Sequence, residues 1–88
     1  MKRFKDLKFE PHIHEDGQHA IIHFENGYGV SVLFGWVFYS DGRSTYEVGV
    51  LKGGQLCYST PITDDVIGHA SKNKVTRIMK KVQQLLPD

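Results

Sequence analysis

Five histidines are the most conspicuous chemistry-bearing residues of this 88-residue chain. His12 and His14 stand two apart, as do Glu10 and His12, and His19 and His23 stand four apart. In extended chain, even spacings put side chains on one face. If the two stretches pair with their apolar residues on one side, His12, His14, His19 and His23 share the other side near Glu10. Four imidazoles on one face are the donor set for a zinc or nickel ion. The plainer reading, and the preferred one, is an exposed polar face where His alternates with Lys and Glu, because the spacings match no strong ligand signature. Such a face would still respond to pH near 6.

The other reactive residues point away from catalysis. Asp64 and Asp65 are adjacent, so on a helix they diverge by about 100° and do not readily chelate one ion; they fit helix capping better. Ser31 lies in Gly29-Val30-Ser31-Val32, which lacks the second glycine of a nucleophile elbow. Gly27-Tyr28-Gly29 sits in a hairpin rather than before a helix, so it is no phosphate loop. Cys57, the single cysteine, falls between Leu56 and Tyr58 in a strand pattern and has no activating neighbour in sequence. An internal disulfide is excluded and a reducing compartment suits the chain. No enzymatic activity and no cofactor are expected.

Two candidate surfaces for binding remain. Trp36, Phe38 and Tyr39 crowd beside the Ser40–Ser44 turn, with Arg43 within it, and aromatic and arginine side chains dominate protein-binding hot spots. The competing reading makes Trp36 and Phe38 part of the core. Lys74, Arg77 and Lys81 line one flank of the last helix, the arrangement for phosphate contacts. That helix has no interleaved aromatics, and the net charge is only +1, so a solvated face is the plainer account.

The elements that position these residues follow from periodicity. Leu7, Phe9 and Ile13 alternate with Lys8, Glu10, His12 and His14, which predicts a half-buried strand over 7–14. Pro11 places it at a sheet edge. After Glu15-Asp16-Gly17, the residues Ala20, Ile22 and Phe24 alternate with His19, Ile21 and His23. Asn26-Gly27 predicts a tight hairpin with two positive φ angles. A long strand follows, with Tyr28, Val30, Val32, Phe34, Trp36 and Phe38 on one face and a bend at Gly35. Tyr46, Val48 and Val50 continue the apolar face, and Lys52-Gly53-Gly54 turns into a short strand from Gln55 to Ser59.

Five strands with short connections predict an antiparallel meander. Thr63 reads as the cap of a single helical turn over 64–67, stopped by Gly68. Ser71 caps a second helix on which Val75, Ile78, Met79, Val82, Leu85 and Leu86 form one apolar stripe, and Pro87 ends it. The fold class is therefore α+β: a meander of about five strands within 7–59, packed by a C-terminal amphipathic helix within a helical region 63–86. Residues 1–88 make one domain, which at this size buries roughly 60–65% of its unfolded surface.

Charge is unevenly spread. Residues 1–8 carry a local +3, residues 9–68 a local −6 and residues 69–88 a local +4, and the simplest expectation is that the basic ends pair with the acidic middle. No apolar run approaches the ~20 residues of a membrane span. The N-terminus has no apolar stretch of the signal-peptide kind, so a cytoplasmic setting without membrane attachment is expected. Exposed edge strands at both ends of the sheet make a homodimer a further expectation.

Three segments together, Asn26-Gly27-Tyr28-Gly29-Val30-Ser31-Val32, Tyr46-Glu47-Val48-Gly49-Val50-Leu51 and Tyr58-Ser59-Thr60-Pro61-Ile62-Thr63-Asp64-Asp65-Val66-Ile67-Gly68, resemble a family of short bacteriophage and prophage proteins of unassigned function. The opening Phe4-Lys5-Asp6-Leu7-Lys8-Phe9 resembles the start of that family. The resemblance implies a phage origin and the host cytoplasm, and it brings no catalytic residues. The chain departs from the family at Phe34 to Arg43, apolar here where the family has a glycine-rich polar loop, which draws attention to that stretch as the partner-specific one. The expected function is a phage accessory protein that binds a host or phage protein, blocking a host defence being one such role. The alternative is a nucleic-acid-binding module using the last helix.

Overall fold

The computed structural model describes residues 1–11, 17–35, 45–57 and 67–86. The valine-rich alternation sets the sheet. Strands β1 (Glu10–Pro11), β2 (Gln18–His23), β3 (Tyr28–Phe34), β4 (Tyr46–Lys52) and β5 (Gln55–Leu56) follow one another as an antiparallel meander. A sixth strand, β6 (Ile67–Ala70), pairs antiparallel with β4 on the same edge as β5. Helix α1 (Lys72–Gln83) closes one face of the sheet. The α+β class and the meander are thus as the periodicity predicts.

The core lies between that face and α1. Val30 and Val32 of β3, Tyr46, Val48 and Val50 of β4, and Ala70 of β6 meet Val75, Ile78, Met79 and Val82 of α1, all buried. Branched side chains suit the pleated surface, and Met79, fully buried, fills the irregular space between helix and sheet. The stripe on α1 follows i, i+3, i+4, i+7, as predicted, but it ends early. Leu85 is half-buried, whereas Leu86 is 85% exposed, because α1 gives way at Gln84, whose N–H turns to the carbonyls of Lys80, Lys81 and Val82. At the other end, Ser71 caps as expected, its hydroxyl accepting the Lys74 N–H at 3.1 Å.

Three local features differ from the sequence reading. The stretch expected as a strand over 7–14 joins the ladder only at Glu10–Pro11 among the described residues, although Pro11 does sit at the sheet edge. It is preceded by a 3₁₀ turn, Phe4–Asp6. The reason is the aromatic side chains: Phe4 and Phe9 leave the sheet plane to pack on Tyr46, with ring centroids 5.0 and 5.7 Å away, and Phe34 meets the same ring at 5.0 Å. Leu7 fills the same layer. Burial of those apolar surfaces outweighs two or three ladder bonds.

The second difference is the β2–β3 hairpin. Only Gly27 takes a positive φ, 85°. Its N–H donates to Phe24 O at 3.2 Å, and Phe24 N–H donates to Tyr28 O at 2.7 Å. The loop is therefore three residues, a turn followed by a left-handed glycine, rather than a two-residue turn with Asn26 left-handed. The Asn26 side chain turns instead to the helix. Its Nδ2 donates to the carbonyls of Val82 and Leu85 at 2.9 and 3.0 Å, and its Oδ1 accepts the Tyr28 N–H at 3.1 Å. The hairpin loop thus caps the end of α1, whose last carbonyls have no partner within the helix.

The third concerns Ile67 and Gly68. The one-turn helix expected over 64–67 falls mostly outside the described residues, but Ile67 opens strand β6 and Gly68 lies within it rather than stopping a helix. The register runs Val48↔Ile67 and Tyr46↔Ala70, one residue longer on β6. That extra residue makes a bulge in which His69 takes φ 52°. Strand β3 ends at Phe34, and Gly35 bends the chain as expected, with φ 140°; the rest of the predicted long strand, Trp36 to Tyr39, lies outside the described residues. The Gly53–Gly54 turn holds two positive φ angles, 60° and 84°, as its composition demands, and β5 ends at Leu56 with Cys57 N–H on Val50 O.

Two substitutions test these features by urea unfolding. Asn26→Ala removes the side-chain bonds to the Val82 and Leu85 carbonyls at the end of α1 and is expected to cost about 1–2 kcal/mol. His69→Val, a branched residue forced to positive φ, is expected to cost at least about 1 kcal/mol, while His69→Gly is no less stable than the parent.

Candidate functional site

Two surfaces stand out. The first is a groove where the chain's N-terminal segment lies against α1. Thr76 and Gln83, seven apart and so on one side of the helix, hold that segment in place. Phe4 N–H donates to Thr76 Oγ1 at 3.1 Å. Lys2 N–H donates to Gln83 Oε1 at 2.8 Å, and Gln83 Nε2 donates back to Lys2 O at 2.7 Å and to Met79 O at 3.1 Å. The ammonium of Lys72 sits 5.6 Å above the Phe4 ring. Between this segment and the β2–β3 loop opens a groove of about 950 Å³, whose walls carry Lys2, Arg3, Lys5 and Lys80 against Asp6 and Glu25.

This placement sets two basic stretches against each other. The +3 segment packs on the +4 segment, while five of the eight acids of the middle stretch lie outside the described residues. The segment arrives there because its backbone bonds and the Phe4 ring belong on α1, and surface repulsion in water is weak beside apolar burial. The result is a concentration of positive charge on one side of the molecule. Within it, Asp6 closes the 3₁₀ turn: its carboxylate accepts the Arg3 N–H at 2.9 Å while its own N–H donates to Arg3 O at 2.8 Å. That backbone bond to the carboxylate, aided by the charges of Lys2, Lys5 and Arg3, holds the Asp6 carboxyl below the usual carboxylate range.

The second surface is the sheet face opposite α1. The register stacks Ile21, Ser31 and Gly49 in one row, and His19, Leu33 and Glu47 in the next. A third row holds His23, Gly29, Leu51 and Leu56. Ser31 and Gly49 are small, so the middle row dips into a shallow cleft of about 190 Å³ walled by Ile21, Leu33, Leu51 and Leu56. Ile21 is 54% and Leu56 49% exposed. Gly29 admits no side chain, since a Cβ there would run into the Ile22 carbonyl.

The residues singled out from the sequence fall as follows. Lys74, Arg77 and Lys81 are exposed on α1, on the flank away from Thr76 and Gln83, with Lys80 between the two sides. His19 is half-buried and pairs in register with Glu10 and Leu33, and His23 is exposed at the groove. Four residues along a strand is about 13 Å, so these two imidazoles alone do not share an ion. Among the described residues no three His, Cys, Asp or Glu side chains come together as a metal site. His12 and His14 lie outside the described residues, as do Trp36, Phe38, Tyr39, Arg43, Asp64 and Asp65. Cys57 is half-buried. Among the described residues no helix is long and apolar enough to cross a membrane. The groove and the cleft are the features that sequence reasoning missed. The groove's only advance signal was the charge of the two ends, and the cleft's was the pair Ser31 and Gly49 at small positions on an otherwise branched face.

Because the Asp6 carboxyl titrates below its unfolded value, the stability it contributes is present above the unfolded carboxylate pKa and is lost as pH falls through the folded one. Asp6→Asn is expected to lower stability at neutral pH, with the difference from the parent shrinking to nothing below the folded pKa. Urea midpoints across an acid pH series measure it. Comparison with protein-family models, curated proteins and solved structures gives no match to this chain.

Proposed function

We propose that the protein is a small protein-binding module. The observation that carries this reading is the partly exposed apolar cleft on the sheet face opposite α1, where Ile21 and Leu56 stand about half exposed around Ser31 and Gly49. Large aliphatic side chains ringing a concave patch lose surface to water whenever a partner covers them, at roughly 25 cal/mol per Å². The aromatic stretch Trp36, Phe38, Tyr39 and Arg43 follows directly on β3 and is the second part of the proposed surface. The resemblance to short phage proteins supplies a setting: an accessory protein in the host cytoplasm, acting on a host or phage protein, with inhibition of a defence system as one such role. Two copies joined through sheet edges are a compatible assembly.

The alternative is a nucleic-acid-binding module. What favours it is the packing of the basic N-terminal segment on one flank of the basic helix, with Lys74, Arg77 and Lys81 exposed on the other. It requires binding that weakens steeply with salt.

Affinity capture from host lysate, read by mass spectrometry, tests the first reading. One partner enriched by the parent is expected to be lost from Ile21→Glu/Leu56→Glu or from Trp36→Ala/Phe38→Ala, with both double variants keeping the parent's circular dichroism. Undiminished capture by both folded variants rules out these surfaces. A mobility shift of duplex or single-stranded DNA at low salt, abolished in Lys74→Glu/Arg77→Glu/Lys81→Glu, would instead favour the alternative.

A further inference from the structure

We propose that the outer edge of β2, with the basic groove beside it, takes an extended acidic segment of a partner protein as an added strand. This rests on the protein-binding reading and names a second contact surface and the chemistry of its occupant.

The edge is defined by the ladder. Phe24 turns its backbone toward β3, its N–H donating to Tyr28 O. In an antiparallel pair the exchanging residues alternate, so Ile22 and Ala20 also turn their N–H and C=O toward β3, while His19, Ile21 and His23 turn theirs outward. Strand β1 covers that outer edge only opposite Gln18 and His19. Beyond it, the outward backbone groups of Ile21 and His23 face no strand among the described residues, and both residues are exposed. They are left open because Phe9, Leu7 and Phe4 carry the N-terminal segment into the core and onto α1. An open stretch of ladder is a template for another strand.

The divergence of the N-terminal segment from β2 is also what forms the groove. One wall is His23–Asn26 and the other is Met1, Lys2, Arg3, Lys5 and Asp6 with Lys80 and Gln83. A strand laid on Ile21 and His23 would run into a wall bearing Lys2, Arg3, Lys5 and Lys80. Of the two acids on the walls, Asp6 is already engaged by the Arg3 N–H. Charge complementarity therefore selects glutamate or aspartate in the incoming strand. The edge favours a polypeptide over nucleic acid. It presents carbonyls as well as N–H groups, and a peptide backbone answers both, whereas phosphate oxygens answer only the donors and are repelled by the carbonyls.

The probe is a fluorescein-labelled peptide of ~8 residues, an ordinary strand length, alternating glutamate and valine. It is expected to raise anisotropy on addition of the full chain. The largest amide shifts in nitrogen-15 NMR are expected at Ile21 and His23, and Arg3→Glu/Lys80→Glu should weaken binding about 10-fold or more. N-methylating the peptide at alternate backbone nitrogens should abolish binding, and so should His23→Pro, which removes an outward donor but no ladder bond. If His23→Pro fails to fold, the N-methylated peptide carries the same test. Equal binding by the N-methylated peptide, absence of binding by the parent peptide, or tighter binding of a thymidine oligonucleotide would overturn the proposal. Lysate capture that survives Arg3→Glu/Lys80→Glu but not the cleft variants would overturn it too, while leaving the protein-binding reading in place.

Discussion

One twelve-residue helix has to cover the apolar face of a six-stranded sheet, and most of the molecule's particulars follow from that constraint. At 1.5 Å per residue α1 spans about 18 Å, while a seven-residue strand spans about 23 Å and the sheet is several strands wide. Met79, Val75, Ile78 and Val82 seal the centre over β3 and β4. The region around Tyr46 needs other material, and Phe4, Leu7, Phe9 and Phe34 supply it. The N-terminal segment is therefore part of the core rather than an appendage. In so small a domain, where net stability is a few kcal/mol out of large opposing terms, such an extension of the core has large consequences.

The helix is held at several points along its length. Ser71 closes its first turn, Thr76 and Gln83 bind the backbone of Phe4 and Lys2, and Asn26 reaches from the hairpin to its last carbonyls. Each contact satisfies polar groups that would otherwise compete for water at the rim of the core. Together they fix where the N-terminal segment lies, and so bring two positively charged stretches side by side. Electrostatics did not choose that arrangement. It follows from apolar burial and backbone bonding, and it leaves a basic groove beside an edge of β2 that β1 is too short to cover.

β4 is the other organising element. It pairs with β3 along one edge and shares its second edge between β6 and β5. The glycines at 53 and 54 return β5 tightly, and the bulge at His69 shifts β6 so that Ala70 lies opposite Tyr46 and Ser71 can start α1. The face turned away from α1 is left with small residues at Ser31 and Gly49 and with aliphatic side chains around them, of which Ile21 and Leu56 are about half exposed; the protein-binding reading depends on this surface.

The class of the fold, the order of β1 to β5, the inward faces of β2, β3 and β4 and the register of α1 are all determined by the sequence alone. Alternation with period two and recurrence at three and four residues are local properties, and so are the Ser71 cap and the glycines at 27, 53 and 54. Residues whose role depends on distant partners were not legible. Asn26 reads as a turn residue until the end of α1 is placed beside it, and Phe9 as a strand residue until Tyr46 offers a ring to pack on. Ile67 reads as helical until β4 offers an unpaired edge. The two basic ends carry their charge in the sequence, but their adjacency, and with it the groove between Lys2, Arg3, Lys5 and Lys80, is decided by tertiary packing, because the contacts that bring them together span more than seventy residues of chain.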